Sequence, residues 1–501
     1  MQQDLSTPHP AGAQPLKGLR LLVTDLDLQQ REHRGIAVYS KALLKALRAA
    51  GAETWLLTDF EPRLKDPGLK RLPLRAQELV FAARVMEGLV SGHGGLRSPY
   101  WDSKLRKSGK VVRLRQLWLR LGELLDQLVP RRYEMSRMRR VPLHEQVDSP
   151  YFRQERLSYF DDLDGIVCAR HLYANAVRRG LARRPHPLPI RLGPGFDGLI
   201  TTCPLNLETV DAGSFVQTVH DLIPLEYVPH LDHVALFGQR LASSLKARKL
   251  FVSQATRHKF ELAYSGPQDP GGAVIVQPPS LAMPEGPGRE LLKQDVLRPC
   301  RRARTRQGEL APFRYLLFNS SVEPRKNLLF AIKAYRLSGL AEQGVRLCVT
   351  GMLKGDNYSK AVGEQADASV LLTGYIDETT KTNLFLHALA VLSPSLVEGF
   401  GIPVLDGACI GAPVIASPSG SHQEIKALHD FDRLIWLCDT LDPSDWGIAM
   451  RSVAEAEMAR IQDVDLEREQ RLERYDRIGG AVFRSFQASV CEQILAGLSS
   501  D

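Results

Sequence analysis

Two successive runs of strand, loop and helix, separated by a stretch rich in Pro, Gly and Arg, constrain this chain more than anything else in it. In the first run Leu19 to Thr24 is a continuous apolar strand. A polar loop through Arg34 follows, then Gly35 and a helix from about Ala37 to Ala49 that carries Leu43, Leu44 and Leu47 on one face. Gly51 ends that helix and Thr54 to Thr58 is the next strand, completing a βαβ unit, the opening of a parallel doubly wound sheet. Phe215 to Val219 and Lys249 to Val252 read as later buried strands of the same half. After Pro278 and Pro279 the chain turns Pro-, Gly- and Arg-rich through Pro312. The second run then gives strands at Tyr315 to Phe318, Val345 to Thr350, Ser369 to Thr373, Val391 to Ser393 and Val414 to Ala416, with helices at Leu328 to Leu337 and Glu378 to Ala388.

Two such series imply two α/β domains, each a doubly wound, Rossmann-like parallel sheet, facing one another across a cleft of the kind where open parallel sheets bind ligands. The expected boundaries are a first domain over 1–283, a linker over 284–312, a second domain over 313–480 and a C-terminal helix over 481–501. That helix carries Val482, Phe483, Phe486, Val490, Ile494 and Leu498 on one stripe. Residues from 60 to about 200 fit neither series and read as a basic, partly helical insertion, with helical periodicity at Arg75 to Val90 and Arg113 to Val129.

A chain of 501 residues with 44% hydrophobic content can bury two cores. No run of eighteen apolar residues occurs and residues 1 to 18 show no apolar signal core, so neither a membrane span nor an export signal is expected. Seven scattered cysteines, never in a C-x-x-C arrangement, read as reduced core thiols of a cytoplasmic protein. The net charge of +8 is local. From Lys104 to Arg140 there are twelve Lys or Arg against three acids, an excess of nine, so the other residues sum to −1. A charge confined to one segment argues against a nucleic-acid partner and for a patch with its own task.

Three clusters carry chemistry. Glu398-Gly399-Phe400-Gly401-Ile402-Pro403-Val404-Leu405-Asp406 places two carboxylates eight positions apart around a glycine-framed turn that opens a helix. Gly399 and Gly401 allow close backbone approach and Pro403 suits a first helical turn, so the motif offers amide hydrogens to an anion and carboxylates to hydroxyls. Ser320-Ser321-Val322-Glu323-Pro324-Arg325-Lys326-Asn327 lies between a strand and a helix. There Arg325 and Lys326 add to a helix N-terminus that already favours a diphosphate, the alternative being a solvated turn with Asn327 as cap. His220-Asp221 ends a strand of the first half. An imidazole there either bonds a sugar hydroxyl or is a satisfied structural histidine, and Asp221 either faces the ligand or caps the next turn.

On these residues Phe318 to Ile425 resembles the C-terminal domain of retaining glycosyltransferases of the GT-B fold, in the family 4 group that includes bacterial mannosyl- and glucosyltransferases of surface polysaccharides. Glu323 to Asn327, Gly351, Gly374-Tyr375, Pro394-Ser395, the Glu398 motif and Gly411 to Ile415 occur in that family's order and spacing. The first half resembles it more thinly, through Gly35, His220-Asp221 and Ser253. The resemblance implies that Lys326 and Arg325 hold the donor diphosphate with the Ser320 and Ser321 loop, and that Glu398 contacts donor-sugar hydroxyls. It implies that amides around Gly399, Phe400, Gly401 and Ile402 meet sugar and phosphate, that Gly351, Gly374 and Tyr375 line the donor site, and that Gly35 lets the first loop approach. His220 would face the sugar from the other domain, and the last helix would cross back to the first domain. The sequence departs from the pattern at Asp406, where the family's ribose-binding acid is usually Glu, and at Ser321, where an Arg often stands.

The resulting expectation is a retaining hexosyltransferase of mannose or glucose type. It uses a GDP- or UDP-linked sugar, with no further cofactor and no metal, and transfers to a hydroxyl of a polysaccharide or lipid-linked acceptor. Its rivals are a noncatalytic sugar-nucleotide-binding or assembly subunit and an epimerase of the same fold. Asp25-Leu26-Asp27 and Asp162-Leu163-Asp164 have the spacing of a metal motif from a different fold, with only two residues defining each. The segment Lys104 to Arg140 either lies on anionic lipid through the stripe of Leu114, Trp118, Leu121, Leu125 and Leu128, making the protein peripheral on the inner face of the cytoplasmic membrane, or packs onto the first domain.

Overall fold

The structure is a computed structural model that describes residues 14–29, 35–62, 67–91, 133–146, 155–211, 213–227, 234–266, 269–282 and 313–499. The expected linker over 284–312 and most of the basic segment, including its Leu114 to Leu128 stripe, lie outside the described residues.

The chain divides into two compact units. The first comprises residues 1–252, 257–276 and 485–501, and the second residues 253–256 and 277–484. The first is built on an eight-stranded sheet. From edge to edge its strands are Gly272–Val274, Arg248–Phe251, Ser214–Val219, Gly198–Thr201, Arg20–Thr24, Glu53–Thr58, Gly165–Cys168 and Arg139–Pro142. All pairings in it are parallel except the last, where Arg139–Pro142 runs antiparallel to Gly165–Cys168. Its central strands are buried on both faces and read as unbroken apolar runs, which is why Leu21, Leu22, Val23, Leu56 and Leu57 announce themselves in sequence. Helix Ile36–Ala49 buries Leu43, Leu44 and Leu47, the face that its periodicity predicts.

One expectation needs correction here. The stretch from 60 to 200 is not an insertion throughout, because Gly165–Cys168 and Gly198–Thr201 are interior strands of the first sheet. It also supplies Tyr133–Glu134 and Leu188–Arg191, which pair with each other in a small parallel sheet whose third strand, Leu207–Thr209, lies on the other side of Leu188–Arg191. Each interior strand is only four residues long, too short to show a period of its own.

The second unit has a wholly parallel six-stranded sheet. Its order is Val370–Gly374, Arg346–Thr350, Tyr315–Asn319, Ala390–Ser393, Val414–Ala416 and Ile435–Leu437. Numbered along the chain these strands lie 3-2-1-4-5-6, so the direction of winding reverses between Tyr315–Asn319 and Ala390–Ser393. Its core gathers Phe318, Ile332, Tyr335, Leu347, Leu392, Trp446 and Met450, all buried. The expected pair of α/β units on parallel sheets is therefore present. Helix Val464–Leu498 belongs to the second unit through Arg484 and to the first from Ser485 onward. In the first unit Phe486 meets the Tyr39 ring edge-on at 5.8 Å, and Gln487 Nε2 donates to the Ala46 carbonyl at 3.0 Å.

Candidate active site

In the second unit the candidate residues Arg325, Lys326, Gly351, Tyr375 and Glu398 follow the C-terminal ends of strands. The two richest loops follow Tyr315–Asn319 and Ala390–Ser393, the strands between which winding reverses, and that adjacency makes Lys326 and Glu398 neighbours across 72 residues of sequence. Backbone ties hold the loops together: Leu396 N–H donates to the Arg325 carbonyl at 2.8 Å, and Arg325 Nη1 reaches the Val397 carbonyl at 3.5 Å. Lys326 Nζ donates to Glu398 Oε1, which also accepts from Ser395 Oγ at 2.7 Å. Arg325 Nη1 lies 3.7 Å from Glu398 Oε2, while Arg325 Nε donates to Glu323 Oε2 at 3.1 Å and Lys354 Nζ to Glu323 Oε1 at 2.6 Å. The site is thus an alternating chain of charges running Lys354, Glu323, Arg325, Glu398, Lys326.

Burial sets the protonation states. It pushes the Glu398 carboxyl up, but Lys326, His422 and Arg325 outweigh it and hold the group down at about 2. Burial likewise pushes the Lys326 ammonium down, and Glu398 opposes that shift. Each group thus opposes the desolvation shift of the other.

The turn after Glu398 is fixed on several sides. Ser253 Oγ donates to the Gly399 carbonyl at 2.9 Å, Phe400 is buried, and Gly401, with φ +107°, precedes helix Ile402–Ile410. Gly351, with φ +115°, has a steric reason of its own, since a Cβ there would lie 2.3 Å from the Ser320 carbonyl oxygen. Its N–H donates to the Gly374 carbonyl at 2.9 Å, so the loops bearing Ser320, Ser321, Gly351, Gly374 and Tyr375 meet backbone to backbone. Tyr375 is exposed. Asn327 precedes helix Leu328–Leu337 in a left-handed conformation and makes no side-chain capping bond.

Asp406 departs from the sequence expectation that it faces a ligand. It is fully buried, and its carboxylate accepts from Ser280 N at 2.6 Å and Ser280 Oγ at 2.5 Å. Burial raises its carboxyl to about 6 against the pull of Lys381 and Ser280. The side chain ties down Ser280, whose carbonyl also accepts from Lys381 Nζ at 3.3 Å, while Tyr475 Oη donates to the neighbouring Leu281 carbonyl at 2.9 Å.

In the first unit His220 is buried, and its Nε2 donates to the Thr202 carbonyl at 2.8 Å. Burial pushes the imidazole down to about 4 despite that bond, so it is neutral near pH 7. Tyr39 packs edge-on at 4.8 Å. Asp221 Oδ1 accepts from Ile223 N–H at 3.1 Å, the local capping role. Gly35, with φ +46°, precedes helix Ile36–Ala49. Both D-x-D pairs have protein partners: Tyr173 and Gln29 on Asp25, Thr202 on Asp27, Arg48 and Thr54 N–H on Asp164. Among the described residues no group of three or more His, Cys, Asp or Glu stands together as a metal set, and no helix is long and apolar enough to cross a membrane.

Sequence reasoning missed Glu323 as the bridge between two cations, Ser280 as the partner of Asp406, and His422 beneath Gly401. Ser280 and His422 act on residues far away in the chain, and Glu323, beside Arg325 in sequence, has its second cation at Lys354, 31 residues on.

Residues 302–457 match the family model described as Glycosyl transferases group 1, which spans the whole second sheet. O-antigen chain mannosyltransferase B of Escherichia coli is 26% identical over 219 residues, covering 42% of this chain and 54% of that protein. The chain thus matches about half the length of this relative. Sucrose-phosphate synthase from Thermosynechococcus elongatus superposes with a TM-score of 0.44 at 12% identity, covering 92% of this chain and 100% of that one. WaaG, a glycosyltransferase involved in lipopolysaccharide biosynthesis, gives 0.40 at 13% identity over 65% and 94%.

Proposed function

We infer that this chain is a retaining glycosyltransferase of the GT-B class that takes a hexose, of mannose or glucose type, from a GDP- or UDP-linked donor to a hydroxyl of a polysaccharide or lipid-linked acceptor. The observation that carries the reading is the buried Lys326 and Glu398 pair at the reversal point of the second sheet. The match to the group 1 glycosyl transferase model over the same residues supports it.

Donor binding breaks that pair to advantage. The diphosphate takes Lys326 and Arg325, cations beside the helix that starts at Leu328, and Glu398 is left to accept hydroxyl protons from the sugar. As the bond from the anomeric carbon to phosphate breaks, charge grows on the phosphate oxygens that Lys326 and Arg325 face, and the barrier falls by that differential interaction. Glu398 enters this step as a carboxylate and opposes the positive charge developing on the sugar ring. The acceptor hydroxyl attacks from the face the phosphate leaves, and its proton passes to the departing phosphate oxygen. The configuration at the anomeric carbon is thereby retained. With the cations in this role transfer requires no divalent metal, so activity should persist in EDTA. Restoration only by Mg or Mn ions would reject that part of the reading.

The primary test is a thermal-shift screen with GDP, UDP, ADP and their sugars, followed by transfer assays with the stabilising donor, since a ligand that binds only the native state raises its stability by mass action. Stabilisation by one nucleotide class and turnover to a polyhydroxyl acceptor are expected, with turnover lost in Glu398→Gln. A protein stabilised by no nucleoside diphosphate is not a transferase of this kind. Binding without turnover against any acceptor marks an assembly subunit, and epimerised donor marks an epimerase. A peripheral position at the cytoplasmic face of the membrane belongs to the same proposal and rests on the basic segment 104–140. Flotation with anionic but not neutral vesicles at low salt is the expected result.

A further inference from the structure

We propose that His422 is a positioning residue for Glu398. Its ring forms the floor of the turn Gly399 to Gly401 and fixes how the carboxylate is presented. The inference rests on the transferase reading for its kinetic consequence and on geometry alone for the contact.

His422 lies on helix Gly420–Lys426, which follows strand Val414–Ala416, the neighbour of the strand that leads to Glu398. It is completely buried. Ring nitrogen Nδ1 donates to the Ser417 carbonyl at 2.8 Å, a bond that requires the proton on Nδ1, and Nε2 faces Ser393 Oγ at 3.5 Å as acceptor. The same Ser417 donates through Oγ to the Ser395 carbonyl at 2.5 Å, and Ser395 Oγ donates to Glu398 Oε1 at 2.7 Å. From His422 to Glu398 there is therefore one continuous polar line, made by residues at the ends of two adjacent strands. From above, a Cβ on Gly401 would stand 2.7 Å from His422 Cδ2 and 2.9 Å from Nε2, so the backbone of the turn rests on the imidazole with no room for a side chain. His422 and Glu398 also sense one another's charge: burial lowers the imidazole and Glu398 raises it, while Lys326 opposes the imidazolium.

This position calls for a ring with a polar edge. An aliphatic residue fills the volume but leaves the Ser417 carbonyl unbonded, and the line to Ser395 loses its anchor. A displacement of Glu398 by a fraction of the donor's own dimensions is enough to matter, because misplacing a reacting group by about 1 Å can cost roughly 100-fold in rate.

The test compares His422→Leu with His422→Asn, whose amide N–H stands where Nδ1–H does. The Leu variant should lose roughly 10- to 100-fold in kcat with donor KM nearly unchanged, and the Asn variant should recover most of that loss. Wild-type kcat in the Leu variant overturns the proposal, as does a loss confined to KM. Equal impairment of both variants with equally lowered melting temperatures shows a purely structural residue and also overturns it. A second measurement does not depend on turnover. In ¹⁵N spectra His422 should be protonated on Nδ1, and Glu398→Gln should move its ring-nitrogen resonances. A ring protonated on Nε2, or resonances indifferent to Glu398→Gln, overturns the proposal. If wild type transfers no sugar from any donor, the functional reading fails while the spectra still decide this one.

Discussion

Glu398 and Lys326 pair as opposite charges largely out of water. Each opposes the other's desolvation, and in the proposed function a donor that offers phosphate to one and hydroxyls to the other takes over both. Removing one partner leaves the other buried without its nearest counter-charge, so Lys326→Met should destabilise the fold by about 3–5 kcal/mol as well as weaken nucleoside diphosphate binding. The double variant Lys326→Met with Glu398→Gln should regain most of the stability and none of the affinity. Denaturation and calorimetry on the four proteins of that cycle give the answer, and additive losses of stability would mean that the pair does not act as a unit. The pH dependence follows from the sign of the shift. Glu398 titrates at about 2 in the folded protein against an ordinary 4.5, so its contribution is present above pH 4.5 and lost as the pH falls toward 2. Glu398→Gln should flatten the stability profile across that window. An unchanged slope between wild type and variant would show that the carboxyl is not held down.

At the scale of elements the helix Ile402–Ile410 serves two ends. Its N-terminus follows the Gly399 to Gly401 turn, and Asp406, on its second turn, holds Ser280. The position that the resemblance equates with a ribose-binding Glu is occupied by a residue whose carboxylate clasps Ser280. Restoring the longer acid should therefore not tighten donor binding. Asp406→Glu inserts a methylene where Ser280 already sits at 2.5–2.6 Å, and overpacking of that kind costs about 1–3 kcal/mol. A lower melting temperature is expected, and Ser280→Ala should cost less stability on the Glu background than on the wild-type one. A Glu variant that melts as wild type and binds nucleotide more tightly would restore the ribose role.

For the whole molecule the decisive element is helix Val464–Leu498, which lends its last turns to the first unit. Phe486, Val490 and Ile494 are buried there, and Ser214 lies so close to Gly497 that a Cβ on the glycine would meet Ser214 Oγ at 2.4 Å. Truncation after Arg484 should strip that apolar face from the first unit while leaving the second sheet and its core intact. Limited proteolysis should then degrade residues before 277 and leave a resistant fragment containing 313–484. Equal resistance of both units would show that the last helix contributes little to the first.

The βα periodicity, the apolar strand runs of both sheets and the order of the loop motifs were determined by sequence alone. These are local or repeated features: a strand buried on both faces must be apolar throughout, and a helix that buries one face must repeat its leucines. The same locality let Glu398, Lys326 and Arg325 be named, because each stands beside a helix start with glycine or proline punctuation. Only the tertiary structure decided who meets whom. The 3-2-1-4-5-6 order of the second sheet joins Lys326 to Glu398, and the tertiary fold brings Ser280 to Asp406 across 126 residues and His422 under Gly401. The tertiary fold also turns two four-residue segments of an apparent insertion into interior strands of the first sheet. Such pairings depend on burial and on the register of adjacent strands, and neither leaves a period or a spacing in the chain for a reader to find.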